Sequence, residues 1–552
     1  MSVEQEQPGG AGSADDQERF PASPEALTAV AGSPLATTPR RESISKEGKE
    51  RLRTNVVATL AYYVFSTLVG VWYTPYLIDH LGIAVYGLVP LALQMVSYFQ
   101  YLANALTQAS SRFVTLHLER GQLAEANQAF NTALFTTVGM GGLLYPLGII
   151  FIIFAPHLIH IPAGYETDAR LVFGAVLLSS YSMVVGMAFG VSLFVRSRFD
   201  IASIIDTVVR VLPIACVVVL FSIMEPHLWH VAVGILAVAT FRWFIRFWML
   251  RTYTPELRVK RADFNREKLR EIMGMGGWML VRNLGEAFYQ GGDLLIMNTV
   301  VGAMAAGLYA PLAQWVALLR TMALQMSYLL SPTIIATYAK GDEKALAQIC
   351  RQSVKTMGLA IALPIGLVCG LGRPLLLTWL KKPEFGELGP QLALLLAPLC
   401  VSLAVCPIMS VAVAHNKMRW PALTFLGGGL LNIGLAVVMA SPRGMGMGMY
   451  GVIISQVIML TLRDGLFYPI YTARLLHRNP LTFYPSMIPG MVMAALTYLA
   501  TLQLAAAYDL TSWLRLALCC LVIGVPFALL AFFVGLRRSE RATIIELARG
   551  RA

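Results

Sequence analysis

The sequence predicts an all-α fold, a polytopic membrane protein with about fourteen transmembrane helices, and three observations carry that prediction. Of 552 residues, 57% are hydrophobic and 13% charged, about half of the roughly 25% that a water-facing surface needs. Apolar stretches near the ~20 residues required to cross a bilayer recur along the chain. Basic residues concentrate in alternate loops, as a fixed orientation in the membrane demands.

In chain order, residues 1–50 are rich in Pro, Ala, Ser, Gly and acids and lack apolar periodicity, a composition that predicts a disordered cytoplasmic tail. This tail holds no apolar core with a cleavage site, so the first spanning helix is expected to act as the insertion signal. Apolar stretches then fall at about 54–79, 83–116, 128–155, 168–195, 201–223 and 229–249. The polar run RTYTPELRVKRADFNREKLR (251–270) separates them from stretches at about 271–299, 303–336, 354–379, 389–413, 421–440 and 450–470. Two more follow near 484–506 and 512–536.

An even number of spans puts both termini on one side. That side holds Arg120, Arg196, Arg198, the cluster Arg251 to Arg270, Lys340, Lys344, Arg351, Lys355, Lys417, Arg419, Arg474, Arg478 and the tail from Arg537. The opposite loops hold Arg170, Lys381, Lys382 and Arg443, so both termini are expected in the cytoplasm. The net charge of +12 then reflects topology, and no nucleic-acid partner is expected. The seven cysteines show neither metal nor disulfide spacing and read as buried free thiols.

Shifted back by 220 positions, the second half matches the first. Leu81-Gly82 meets Val301-Gly302, Gly87-Leu88 meets Gly307-Leu308, Gly121 meets Gly341, and RSRFD (196–200) falls on NKMRW (416–420). A repeat of six helices is even, so the halves share one orientation, related by an axis along the membrane normal. The expected organisation is an N-lobe at 51–250, a cytoplasmic loop at 251–270, a C-lobe at 271–475, and two last helices with a tail at 476–552.

Two six-helix lobes plus two helices resemble the polysaccharide-transport branch of the multidrug/oligosaccharidyl-lipid/polysaccharide (MOP) exporter superfamily. YTPYLIDHLGIAVYGL (73–88) is similar to that branch's first hairpin, a Leu-Gly turn followed by Tyr-Gly. SRFVTLHLERGQLAEANQAFNTAL (111–134) is similar to its next segment. The resemblance covers nearly all of the chain after residue 50. It implies a flippase for polyprenyl-diphosphate-linked oligosaccharides in a bacterial inner membrane, working by alternating access of a cavity between the lobes. Implied with it are membrane lipid, a coupling cation (Na+ or H+), and polysaccharide polymerase and glycosyltransferase partners.

Ionisable residues inside spans are costly against lipid, so they mark cavities or helix contacts. The seventh span carries Arg282, Glu286 and Asp293 within about 40° of one another on one face, bordered by Tyr289 and Gln290. Either Arg282 and Glu286 neutralise each other at helical spacing, or the stripe is a cavity wall. In a wall, Arg282 binds an anion and Glu286 or Asp293 takes part in ion coupling. Arg320 stands near the middle of the eighth span with no acid within four residues. It pairs with Asp293 or Glu286 across helices, or offers its fork of donors to a diphosphate.

Asp206 and Arg210 read as a structural i, i+4 pair. Arg112, Arg242 and Arg246 either snorkel from cytoplasmic helix ends or form a basic funnel. Arg463-Asp464 on the twelfth span occupies a position like that of Arg242 in the first half. Tyr62, Gln94, Tyr98 and Asn104 belong to a polar series in the first two spans that suits sugars and helix contacts equally.

His157/His160 and His227/His230 share a metal-like spacing, but both fall at a predicted outer face beside Pro156 and Trp229, where interfacial histidines are expected instead. No Gly-Lys-Ser phosphate loop, nucleophile elbow, zinc motif or dinucleotide fingerprint occurs in the sequence. No cofactor, metal or enzymatic activity is therefore expected. A cation-coupled multidrug exporter of the same superfamily is the alternative; it would favour an acidic, aromatic cavity and twelve helices. A membrane glycosyltransferase or polymerase would need a long extramembrane loop and facing carboxylates, and no outer loop here is long enough.

Overall fold

A computed structural model describes residues 46–189 and 199–535. Within the described residues, each of the fourteen apolar stretches is largely helical. The first half runs α1 (Lys46–Leu81), α2 (Leu88–Glu119), α3 (Leu123–Leu158), α4 (Glu166–Phe189), α5 (Phe199–Ile223) and α6 (Trp229–Tyr253). The second runs α7 (Arg266–Ile296), α8 (Ala303–Ala339), α9 (Glu343–Gly370), a segmented α10 (389–414), α11 (Arg419–Ala440) and α12 (Met449–Leu475). The chain then forms α13 (Tyr484–Ala507) and α14 (Trp513–Leu530). Thr59–Ala552 make one compact unit; Met1–Ala58 fall in another, of which only the start of α1 is described. The tail expected at the N-terminus otherwise lies outside the described residues.

Nine helices among the described residues are long and apolar enough to cross a membrane, ten if a bent pair counts as one span. The four long helices outside that set, α1, α2, α7 and α8, carry the polar side chains of the predicted cavity wall. The bent pair is α10. Where the sequence suggests a continuous span at 389–413, the helix breaks around Ser402–Cys406 and turns by 44°. Pro398 and Pro407 lie on either side of that break, and each lacks an N–H and crowds the preceding turn.

The duplication is written into the helix boundaries. Ile83 and Ala303, Leu123 and Glu343, and Trp229 and Met449 each open a helix, 220 positions apart. Gly82 and Gly302 have φ of 80° and 131°, and Gly121 and Gly341 of 72° and 73°, a region where a Cβ is strained. Glycine therefore sits at equivalent corners because the same turn is made twice.

The halves meet at the end carrying the Gly82 and Gly302 turns, called here the far end. Gly87 and Gly307 face each other: a Cβ on Gly87 would stand 2.7 Å from the Gly307 backbone nitrogen, and one on Gly307 would run into the Ile83 carbonyl. Beside them, the His160 N–H donates to Asn298 Oδ1 (2.8 Å) and Asn298 Nδ2 donates back to the His160 carbonyl (3.1 Å). Thr74 Oγ1 donates to Gln314 Oε1 at 2.8 Å, and Trp379 Nε1 donates to the Val71 carbonyl at 2.5 Å. At the opposite end, Asn127 and Asn131 donate to the carbonyls of Glu256 and Arg258 in the linker, which pins that linker to α3 within its own half.

Small residues set the closest packing. Gly285 of α7 and Gly429 of α11 bring two backbones together, a Cβ on Gly429 standing 2.7 Å from the Gly285 carbonyl. α13 docks on α9 in the same way, through Gly358 against Gly490 and Gly366 against Thr497. The described free cysteines are buried or half-buried.

Candidate functional site

A cavity of about 890 Å³ lies between the halves, a size typical of ligand sites. Its walls come from α1, α2, α5, α6, α7 and α8, with contributions from α4 and α12. The repeat relates the wall to itself. On α2 and α8, Gln94 and Gln314, Ser97 and Ala317, and Gln100 and Arg320 all line it, each pair 220 positions apart. On α1 and α7 so do Gly70 and Gln290, and Tyr73 and Asp293. The cavity thus sits on the internal axis, and divergence between the halves has placed Arg320 and Asp293 in the second.

Of the residues singled out in the sequence, Tyr62, Gln94, Arg242, Gln290, Asp293 and Arg320 line this cavity. Arg282, Glu286 and Tyr289 do not, because the polar stripe of α7 straddles the edge of the wall, and neither does Tyr98 of α2. Gln290 and Asp293 face the cavity; Glu286 turns toward Arg320 of α8 and Arg463 of α12, Tyr289 toward α12 and Arg282 toward α11. Arg282 accordingly forms no pair with Glu286: its Nη1 donates to Asn283 Oδ1 at 3.0 Å, and its guanidinium lies 4.9 Å from the Phe425 ring centre. Tyr289 donates to the Gln456 carbonyl at 3.2 Å, and Tyr98 packs on Gly291. The side chains of Asn104 and Arg112 lie outside the described residues.

Glu286 is the hinge of a buried charge cluster. Arg320 Nη1 donates to its Oε1 at 3.2 Å, Arg463 approaches its Oε2 at 4.0 Å, and Gln290 donates to it as well. Arg463 grips its neighbour Asp464 with two bonds, Nε to Oδ1 at 2.8 Å and Nη2 to Oδ2 at 2.9 Å, while Ser402 donates to the same carboxylate. Sequential helical residues do not normally face each other. Here the π-helical turn Thr461–Phe467 within α12 rewinds the backbone locally, a device frequent at functional positions. Arg463 and Asp464 are not among the site residues that the sequence predicts; a charged pair at mid-span is the signal that marks them.

Asp293 occupies a second network. Tyr309 Oη and Asn432 Nδ2 donate to its two oxygens, each at 3.2 Å, and Gln456 donates as well. Ser455 supports Asn432 at 3.2 Å. The Gly285–Gly429 contact explains the register, because it carries Asn432, about one turn beyond Gly429, to the carboxylate. Asp293 thus has no partner on its own helix, but three on α8, α11 and α12.

In the first half, Asp206 lies within electrostatic reach of Arg246 and Arg242 and makes no ion pair with Arg210. Arg242 faces the cavity, whereas Arg246 donates to the Met183 carbonyl at 3.2 Å. The His160 ring is engaged by the Asn298 carbonyl at 2.7 Å, and His230 Nδ1 accepts from the His227 N–H at 3.1 Å. No group of three metal-ligating side chains occurs among the described residues.

This architecture, two repeated halves enclosing a polar cavity, is the fold of MOP-superfamily transporters. The chain belongs to the polysaccharide biosynthesis protein family, whose profile matches residues 52–335, just over half of its length. It is 28% identical over 496 residues to the uncharacterized membrane protein EpsK of Bacillus subtilis (strain 168), covering 89% of this chain and 97% of that one. Its structure is similar to that of the lipid II flippase MurJ in an inward closed conformation, with a TM-score of 0.60 and 13% identity over 87% of this chain and 98% of that one. It is also similar to a multidrug resistance MATE family transporter of the MOP superfamily in its inward-facing conformation. That match has a TM-score of 0.56 and 15% identity over 75% of this chain and 94% of the other. The chain is a multi-pass membrane protein whose structural neighbours are transporters and flippases, not enzymes.

Proposed function

We propose that this protein is a flippase that translocates a polyprenyl-diphosphate-linked oligosaccharide across the bacterial inner membrane by alternating access. The observation that carries this reading is that Arg242 of the first half and Arg320 of the second both line a cavity on the internal axis. Membership of a polysaccharide biosynthesis family supports a lipid-linked glycan as cargo. With both termini in the cytoplasm, the closed far end faces outward and the cavity receives its substrate from the cytoplasmic side. The diphosphate meets Arg320 and Arg242, polar groups such as Gln94, Gln290 and Tyr62 hold the sugars, and rocking of the lobes 51–250 and 271–475 exposes them outside. Glycosyltransferases that build the lipid-linked glycan act before it and a polymerase after it, and membrane lipid surrounds α13 and α14. A drug exporter would need a cavity favouring cations, and the arginines in this wall argue against it.

Arg320→Ala is expected to lower flipping of a lipid-linked oligosaccharide in proteoliposomes at least tenfold, with Arg320→Lys restoring part of the rate because it returns charge without the fork. Normal flipping by the alanine variant would sink the cationic-cavity reading. Of the two candidate coupling carboxylates, Asp293 is bound only by neutral donors in this conformation, which supports it over Glu286, already paired with Arg320. Asp293→Asn is expected to remove the response of transport to a Na+ or H+ gradient while exchange without a gradient persists. A response that survives would return the coupling role to Glu286.

A further inference from the structure

Arg210 lies near the middle of α5 and lines the cavity. Asp206, one turn before it, lines the same cavity without pairing with it, and no hydrogen bond or ion pair engages Arg210 among the described residues. Arg210 is exposed to the cavity, where its donors are open to an anionic group that enters.

The space before it is shaped. At Gly70 of α1, an added Cβ would stand 2.8 Å from Nη2 of Arg210 and 3.5 Å from Nε2 of Gln314. Glycine therefore lets the Arg210 guanidinium and the Gln314 amide come close together over the α1 backbone, two donors on one stretch of the cavity wall. The amide is held in register because its Oε1 accepts from Thr74 at 2.8 Å, which leaves its NH2 group to donate. Along α8, Gln314 precedes Arg320 by six residues, a rise of about 9 Å or one to two sugar rings. This stretch lies deeper toward the closed far end than Arg320, where the sugars of a lipid-linked glycan extend once its diphosphate is at Arg320.

We propose that Arg210, with Gln314 beside Gly70, is a second anion site that takes the carboxylate of an acidic sugar and so selects acidic glycans over neutral ones. The proposal rests on the flippase reading above. A carboxylate matches the donor fork of Arg, and a neutral glycan leaves the charge unpaired when the cavity closes, which makes discrimination steep.

The test supplies full-length protein in proteoliposomes with two polyprenyl-diphosphate-linked disaccharides that differ only in the second sugar, glucuronate or glucose. The wild-type protein is expected to flip the acidic one at least about tenfold faster, consistent with one charge-assisted contact. In R210Q that ratio is expected to fall close to one, and in R210K to recover part of the way. Equal rates for both glycans in the wild type, or a ratio that survives R210Q, overturn the acid site and leave the flippase reading intact. If R210Q slows both glycans equally, Arg210 serves the diphosphate and the acid site is again overturned. Failure of the wild type to flip either glycan removes the flippase reading itself. Should R210Q not fold, the wild-type ratio and R210K decide.

Discussion

Arg463→Met is expected to be the most destabilising single change in the second half, costing about 3 kcal/mol. Arg463 and Asp464 are only 6% and 1% exposed, and removing the guanidinium leaves a buried carboxylate held by Ser402 alone. Glu286 would also lose one of its two arginines, and the rings of Tyr289 and Phe425, whose centres lie 4.4 and 4.2 Å from Arg463, would lose the cation that stacks on them. The double variant Arg463→Met/Asp464→Leu is expected to recover most of the loss, since an apolar pair of similar volume avoids desolvating either charge. Thermal unfolding in detergent measures both: the single variant should melt several degrees lower, and the double should return toward the wild type. Equal losses in the two would mean that Arg463 contributes packing and not charge.

What the sequence made legible follows from which forces act locally. Span length, positive loops and turn glycines are local properties, so the helical stretches and the 220-residue repeat are visible before any tertiary contact is known. The turns at Gly82 and Gly302, with matching helix starts at Ile83 and Ala303, show how closely the repeat survives. The break in α10 was signalled by Pro398 and Pro407 but hidden by the unbroken apolarity of 389–413. Partner choice was the least legible part. Helical spacing suggests Arg282 with Glu286 and Asp206 with Arg210, and neither pair forms; the pairing of Arg320 with Glu286 across helices, which the sequence also offers, does form, with Arg463 added from α12. The residues around Asp293, namely Tyr309, Asn432 and Gln456, are neutral side chains in apolar runs, and only the packing of α7 on α11 and α12 shows that they converge.

The same reasoning from packing gives the other large effect, at the far end. Gly307→Ala is expected to prevent the halves from closing there. A Cβ on Gly307 would stand 2.8 Å from the Ile83 carbonyl carbon and 2.9 Å from its Cγ2, and a backbone group cannot rotate away as the tip of a long side chain can. Two helices must then separate, and the neighbouring bonds of His160 with Asn298 and of Thr74 with Gln314 lie at the same end and would be stretched. Overpacking of this kind costs about 1–3 kcal/mol in the closed state. Because an open far end relieves the clash, the conformational equilibrium should shift by the corresponding roughly 5- to 150-fold toward opening. A Thr74→Cys reporter should accordingly react faster with a membrane-impermeant thiol reagent applied outside when Gly307→Ala is present, while lipid-linked glycan transport falls because closure can no longer complete the cycle. Gly87→Ala meets the Gly307 nitrogen from the opposite side and should act in the same direction, as the internal symmetry requires. Unchanged labelling in both variants would show that the far end does not seal through this glycine pair.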